Sequence, residues 1–559
     1  MSIPKTQIKP NIVSTQKKYF GFQETDVPYL IGLAVVLCLI AYIRSSFLNI
    51  SFERDEGAYA YLGNSILNGA ITFKDILSQR LDGVFYAYAF LVSIFGYSVK
   101  ELHFAFLILN IGSAIMIFFL TRKMSNNVGG LAAAAFFSIL SMISGASGFT
   151  IQSEHIVAFL SIAAFLALLH FLETKKMLFL IVSGILFSFA FQVKQTSFFY
   201  GLLGGILIVY KGYFDEKNSI KKIIIQVLVF SVSVLLPVAF DLFIVYKHGT
   251  WAEFNLWFFD IRKQYTATIT FDQGLEYLKM VFDSIYRDYK FFWAISFMSV
   301  VVVFFTKIAL WKKFMVGGLM IFGFLTVVPG YHYYGHYFLQ WIPAVSICAA
   351  MFIFSTQQIL QTKFSIKKGG TFIALGLIVL PMFSNLNKLS RYYFKPNHTQ
   401  VLKAVYGINP FPESRVIADK LNTIMKEGDK LAMFGTEVQM YVYTNKKSPS
   451  RFVGSGALLE FDIPQAKAWQ KEFIADIEKA SPEYLVFFAH PISWLANPKI
   501  ENLIFPWFDK FSAEKYNLIG FADMYDNNTN YVWFQDIDLV KNPPKSQYKI
   551  FVFEKKNKK

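Results

Sequence analysis

The chain has 559 residues, of which 54% are hydrophobic, 18% aromatic and only 16% charged. A soluble domain carries about 25% charged residues, so this balance excludes an ordinary soluble enzyme and points to surface that faces lipid. The formal charge of +16 does not signal nucleic acid, because Lys and Arg fall in short loops between apolar runs rather than in one stripe. The two cysteines, Cys38 and Cys348, both lie inside apolar runs, which excludes a disulfide framework.

A polar head over 1–26, with Lys5, Lys9, Lys17 and Lys18, precedes the first apolar run at 27–47. That run is longer than a signal-peptide core and no small-residue cleavage site follows it. It therefore reads as an uncleaved anchor with its N-terminus inside. Further runs near 99–121, 128–147, 154–172, 177–193, 196–211, 222–246, 290–310, 314–329, 336–355 and 370–386 bring the total to about eleven spans. The inside segments then hold Arg122, Lys123, Lys175, Lys176, Lys217, Lys221, Lys312, Lys313, Lys363, Lys367 and Lys368, as the positive-inside rule asks. The map is a transmembrane module over 27–386 with long outside loops at 48–98 and 247–289. An extracytoplasmic domain over 387–559 follows it. In that domain helical patterns near 413–427 and 464–480 alternate with strand patterns at 430–434, 484–488, 516–522, 530–535 and 548–553, which predicts a small α/β domain. No Gly-rich phosphate loop opens its helices, no cofactor motif is present, and no internal repeat suggests a transporter of paired halves.

The first outside loop is the most informative stretch. Phe52-Glu-Arg-Asp-Glu-Gly-Ala-Tyr-Ala-Tyr61 sets Asp55 and Glu56 just beyond the first span. They open an amphipathic helix with Tyr59, Leu62 and Ile66 on one face, stopped at Asn68-Gly69. The apolar stretch 83–95 is too short to span and reads as interfacial. By pattern alone Asp55 is a helix N-cap with Glu56 in the first turn, and Glu154, after Ser153, caps another helix. Arg54, Arg80 and Lys194 read as headgroup anchors, and Arg262 and Lys263 as solvated surface. His332 and His336 stand four apart, a spacing that ligates zinc on a helix, but Gly335 interrupts and no third ligand is near, so no metal is expected.

The string Arg-Asp-Glu-Gly-Ala-Tyr-Ala-Tyr, followed by Ile-Leu-Asn-Gly, Phe-Lys-Asp75 and Gly83-Val-Phe-Tyr-Ala-Tyr, resembles the first loop of the GT-C membrane glycosyltransferases. The likeness is to the protein O-mannosyltransferase and aminoarabinose transferase type, with its relatives in glycosyltransferase family 39. Glu154 at the outer end of the fourth span, Lys194-Gln195 after the fifth and Gly335-His-Tyr-Phe-Leu-Gln-Trp-Ile-Pro343 before the tenth follow in the family's order, as do Gly435 and Ser448-Pro-Ser-Arg-Phe452. The chain departs where relatives often carry Lys-Pro-Pro and this one has Arg80-Leu81-Asp82. It also lacks the Arg that aminoarabinose transferases carry near Ala58, which argues against that specific activity.

The resemblance implies inverting transfer of a sugar from a polyprenyl-phosphate donor to a lipid, glycan or protein acceptor at the outer face of the plasma membrane. It implies Asp55 as the base, with Glu56 and Glu154 as further catalytic acids. Arg80, Lys194 and Arg54 would hold the donor phosphate. Tyr59, His336, Tyr337 and Gln340 would contact substrate. Two other functions fit a polytopic chain: a transporter or flippase of lipid-linked saccharides, and a non-catalytic partner in envelope assembly. Against transport, the acids cluster at the outer edge of the spans, with Asp241 in the seventh span the main exception.

Overall fold

The computed structural model describes residues 18–19, 22–525, 528–534, 537 and 543–556. Most of the N-terminal head, with Lys5, Lys9 and Lys17, lies outside the described residues, as does the tip of the strand expected at 530–535. A two-residue ribbon, β1 (Lys18–Tyr19) and β2 (Phe22–Gln23), leads into α1 (Val27–Ser45), which opens on Pro28. The long loop after α1 holds α2 (Arg54–Leu67) and α3 (Gly83–Phe95). The bundle continues with α4 (Val99–Met124), α5 (Asn127–Leu140), α6 (Ser153–Thr174), α7 (Met177–Val193), α8 (Phe198–Tyr210) and α9 (Ile220–Lys247). The second long loop carries α10 (Trp251–Asn255), α11 (Arg262–Thr266) and α12 (Phe271–Tyr286). The bundle closes with α13 (Lys290–Val302), α14 (Leu310–Leu325), α15 (Ile342–Thr362) and α16 (Lys367–Lys388).

Every apolar run of the sequence forms a helix, but the helices differ in length. Among the described residues seven, namely Glu24–Ser45, Val99–Met124, Ser153–Thr174, Gln195–Asp215, Ile220–Lys247, Ile342–Thr362 and Lys367–Lys388, are long and apolar enough to cross a membrane. Phe271–Tyr286 and Lys290–Phe305 form a further pair bent by 110°. The remaining runs give shorter helices, of 14 residues in α5, 17 in α7 and 16 in α14. The shortness of α5 has a physical reason. It is the central helix, packed by α1, α4, α15 and α16, and it is apolar all round, so its neighbours rather than lipid satisfy its surface. Around it, α1, α9 and α16 turn Ile31, Val35, Leu235, Phe240 and Leu380 outward at 61–70% exposure, the signature of a lipid-facing rim.

After α17 (Ser390–Phe394) and α18 (His398–Tyr406), the C-terminal region is an α/β unit. Helices α19 (Phe411–Ile424), α20 (Gln439–Thr444), α21 (Ala457–Glu460), α22 (Ala466–Ala480) and α23 (Ile504–Lys515) surround one five-stranded sheet. Its strands are β3 (Leu431–Phe434), β4 (Tyr484–Ala489), β5 (Tyr516–Met524), β6 (Thr529–Trp533) and β7 (Tyr548–Lys555), in the order β3-β4-β7-β5-β6. Among the described strands of this sheet only β3 and β4 pair in parallel, joined by a helical crossover; the other pairings are antiparallel.

This region seats on α2. A Cβ at Gly57 would stand 2.4 Å from Gln439 Cβ and 2.7 Å from its Cα, and one at Gly63 would stand 2.7 Å from Ala89 N on α3. Two glycines thus let α2 lie tight between the C-terminal region and the bundle. The helix that carries Asp55 is thereby held on two sides.

Candidate functional site

The start of α2 sorts its three acids into different tasks. Glu53 is the N-cap: its carboxylate accepts the Glu56 amide at 2.8 Å, and the Glu56 carboxylate accepts the Glu53 amide at 2.8 Å. Glu56 also accepts the Ile151 amide, lies 3.4 Å from His103 Nε2 and is fully buried. Its partners all sit in the core behind the helix. Burial raises the Glu53 carboxyl well above its ordinary range, with Asp55 and Glu56 adding to the rise. The reading of Asp55 as a cap is therefore corrected. Because Glu53 caps the helix, the Asp55 carboxylate is left to face outward from its first turn.

Asp55 accepts the Tyr59 hydroxyl at 3.2 Å and stands 3.5 Å from an Arg80 guanidinium nitrogen. Tyr59 is one helical turn further along the same face. Arg80, from the loop before α3, also donates to the Tyr59 hydroxyl and lies over its ring at 5.4 Å. Burial alone would lower the Arg80 pKa, but Tyr59 and Asp55 outweigh it and leave the cation more firmly protonated than usual.

A second group closes in from the bundle. Glu154, in the first turn of α6, pairs with the Lys194 ammonium, accepts the Ser153 hydroxyl at 3.0 Å and stands 3.9 Å from His336 Nε2. Lys194 leaves α7 in an extended conformation and holds its ammonium 3.5 Å from the centre of the Tyr337 ring. Burial pulls the Lys194 pKa down to about 8 against the pull of Glu154, and pulls His336 down to about 4, so His336 is neutral at pH 7. Asp55, Arg80, Glu154, Lys194 and His336 all lie within electrostatic reach of one another.

Not every residue singled out from the sequence joins this cluster. Arg54 turns to the C-terminal region, donating to Asn409 Oδ1 and the Ile492 carbonyl at 3.3 Å each and standing 3.5 Å from Glu437. Gln340 is fully buried and accepts the Thr196 hydroxyl at 3.1 Å. His332 meets the Tyr265 carbonyl at 3.3 Å, and the Tyr334 ring stacks between it and His336, so the two imidazoles do not converge.

Two residues gain weight in the structure: Arg262, read from the sequence as solvated surface that could also meet an anionic lipid or acceptor, and Glu460, which sequence reasoning passed over. Arg262 is half-buried, donates to Gln195 Oε1 at 3.0 Å and lies over the Phe258 ring, next to the residue that follows Lys194. The aromatic run before it was the available signal. The other is Glu460, in the C-terminal region, whose pKa burial raises to about 7 from 4.5 against the pull of Arg54. A carboxyl raised on folding favours the native state below its unfolded pKa and loses that contribution as pH rises through the folded one. The unfolding temperature should therefore fall between pH 5 and pH 8, and Glu460→Gln should flatten that slope. A melting series in detergent at half-unit pH steps checks this, and an unchanged slope in the variant refutes it.

The family described as dolichyl-phosphate-mannose-protein mannosyltransferase matches over residues 83–240. No curated protein matches the chain by sequence. Among solved structures, ArnT from Cupriavidus metallidurans bound to undecaprenyl phosphate superposes with a TM-score of 0.57 at 12% identity, over 90% of this chain and 98% of that one. The oligosaccharyltransferase AglB from Archaeoglobus fulgidus, in complex with an inhibitory peptide and a dolichol-phosphate, superposes with a TM-score of 0.51 at 12% identity, over 92% of this chain and 75% of that one. The chain is thus a multi-pass membrane protein with the GT-C fold and a C-terminal sheet-containing region, and the family match falls on 83–240, from α3 into α9.

Proposed function

We propose that this protein transfers a sugar, with inversion, from a polyprenyl-phosphate carrier to an acceptor hydroxyl at the outer face of the plasma membrane. The observation that carries the reading is a carboxylate free of capping duty, Asp55, paired with half-buried Arg80 and within electrostatic reach of the buried Lys194–Glu154 pair. The family match over 83–240 and the lipid phosphates named with the ArnT and AglB structures support this donor class.

The chemistry follows from those groups. Asp55 takes the proton of the acceptor hydroxyl as its oxygen attacks the anomeric carbon. The bond from that carbon to the phosphate oxygen breaks on the opposite face, and the carrier leaves as a phosphomonoester with one more negative charge. Arg80 and Lys194 receive that charge. Glu154 positions Lys194, and Tyr59 orients both Asp55 and Arg80. Arg262, beside Gln195, extends the cationic wall and replaces Arg54 in that role. Glu56 is assigned to the helix cap rather than to catalysis. An apolar groove of 760 Å³ lined by Phe282, Phe297, Phe324 and Trp341 offers the carrier tail a place.

Mass spectrometry of envelope glycolipids and glycans from cells with and without the gene tests the proposal. One species should lose a single sugar on deletion and regain it on complementation. An unchanged glycan and glycolipid profile refutes it.

A further inference from the structure

A polar recess lies away from the Asp55 cluster. It is a groove of 720 Å³, within the range of about 300–1,000 Å³ usual for ligand sites. One wall is the C-terminal half of α2 with Tyr97; the other is the loop 445–451 of the C-terminal region. At about 100° per residue, Asn64 points roughly opposite to Asp55 on α2, so the helix separates the groove from the catalytic face. We propose that this groove is a glycan-binding site that holds a distal part of an oligosaccharide acceptor.

The lining matches that chemistry. Asn64, Asn68 and Asn445 supply amides, Ser65 supplies a hydroxyl, and the half-buried ring of Tyr97 supplies an apolar face on which a sugar ring stacks.

The wall is built rather than incidental. The Tyr61 hydroxyl accepts the Ser448 amide at 2.9 Å, which fixes the loop to α2. Lys446 donates to the carbonyls of Lys426 and Glu427 at 3.2 and 2.9 Å. Arg451 makes a bidentate pair with Glu472 at 2.6 and 2.9 Å and also donates to the Lys74 carbonyl at 3.3 Å. Lys447 remains exposed at the rim. The loop is thus held before any ligand arrives, so little ordering cost falls on binding. A remote site of this kind raises the effective concentration of a long acceptor at the Asp55 cluster without touching the reacting atoms.

The purpose of the site rests on the glycosyl-transfer reading, but its occupancy is measured separately. The full-length protein in lipid nanodiscs is titrated with maltohexaose, chitohexaose and hexameric galacturonate, and with a hexapeptide of Gly and Ser. Wild type should bind at least one hexasaccharide. Asn64→Ala/Lys447→Ala, both changes at half-exposed or exposed positions, should weaken that binding at least tenfold, whereas Asp55→Asn should bind as wild type. Failure of every hexasaccharide to bind overturns the proposal, as does binding lost in Asp55→Asn but kept in the groove variant. Equal groove-dependent binding of the peptide overturns it in favour of a peptide site. If the groove binds glycans while Asp55→Asn retains transfer, the groove stands and the catalytic assignment falls.

Discussion

Asp55→Asn should lower sugar transfer by about 10²–10⁴-fold or more, the span contributed by a positioned base, and leave the fold in place. The size of the effect follows from what the carboxylate alone supplies: an amide neither takes the acceptor proton nor carries charge beside Arg80. The stability effect is small for two reasons. The cap of α2 is Glu53, so no capping bond is lost. The Asp55–Arg80 pair has side chains 35% and 25% exposed, and ion pairs so open to solvent stabilise by about 0–1 kcal/mol. The variant should therefore elute and melt like wild type in detergent, with the Tyr59 hydroxyl free to bond the new amide. Measuring transfer in membranes from a deletion strain carrying either form decides the matter. Near-normal transfer by the variant would show that Asp55 is not the base.

The sequence made the bundle legible because lipid imposes a harsh rule: a helix in hydrocarbon must be apolar outward and bonded within. The central helix α5 shows the limit of that rule. Its 14 residues are apolar for packing rather than for spanning, and hydropathy alone does not separate the two. At the site, the first loop was readable as a helix with acids at its head, but not which acid caps it. Glu53 and Glu56 do form a box with the usual three-residue spacing, though Glu in place of Ser or Thr at the cap hides it. Neighbours on a helix point about 100° apart, so Arg54 and Asp55 had to part company. Which of them meets the bundle depends on where the C-terminal region docks, and no local pattern encodes that. The four-residue spacing of His332 and His336 is not a helical one, as the interruption at Gly335 signalled. Tyr331 and Tyr333 have φ of 56° and 44°, so the segment is no helix and the two rings do not share a face. The partner of Arg262 and the burial of Glu460 were not legible because each comes from a segment distant in sequence.

Breaking the Glu154–Lys194 pair should give the largest stability loss among the proposed variants. Both groups are buried, at 1% and 7% exposure, so removing one leaves the other charged and uncompensated, at a cost of about 3–5 kcal/mol. Lys194→Ala should therefore melt well below wild type. Glu154→Gln should do the same, softened because the Lys194 ammonium keeps the Tyr337 ring beneath it. Glu154→Gln/Lys194→Met removes both charges and should recover much of the lost stability while transfer stays absent, since the leaving phosphate then loses one of its two cations. A thermodynamic cycle from the three melting curves, beside transfer rates, separates structure from chemistry. Equal losses of stability in the double and single variants would deny that the charges compensate each other. The same lysine sets a pH limit. With its pKa near 8, it loses its charge as pH rises through that value, so donor KM should climb above pH 8. Lys194→Arg, which keeps its charge to far higher pH, should hold donor KM level there if the cation acts on the phosphate. A climb that persists in Lys194→Arg would assign the transition to another group.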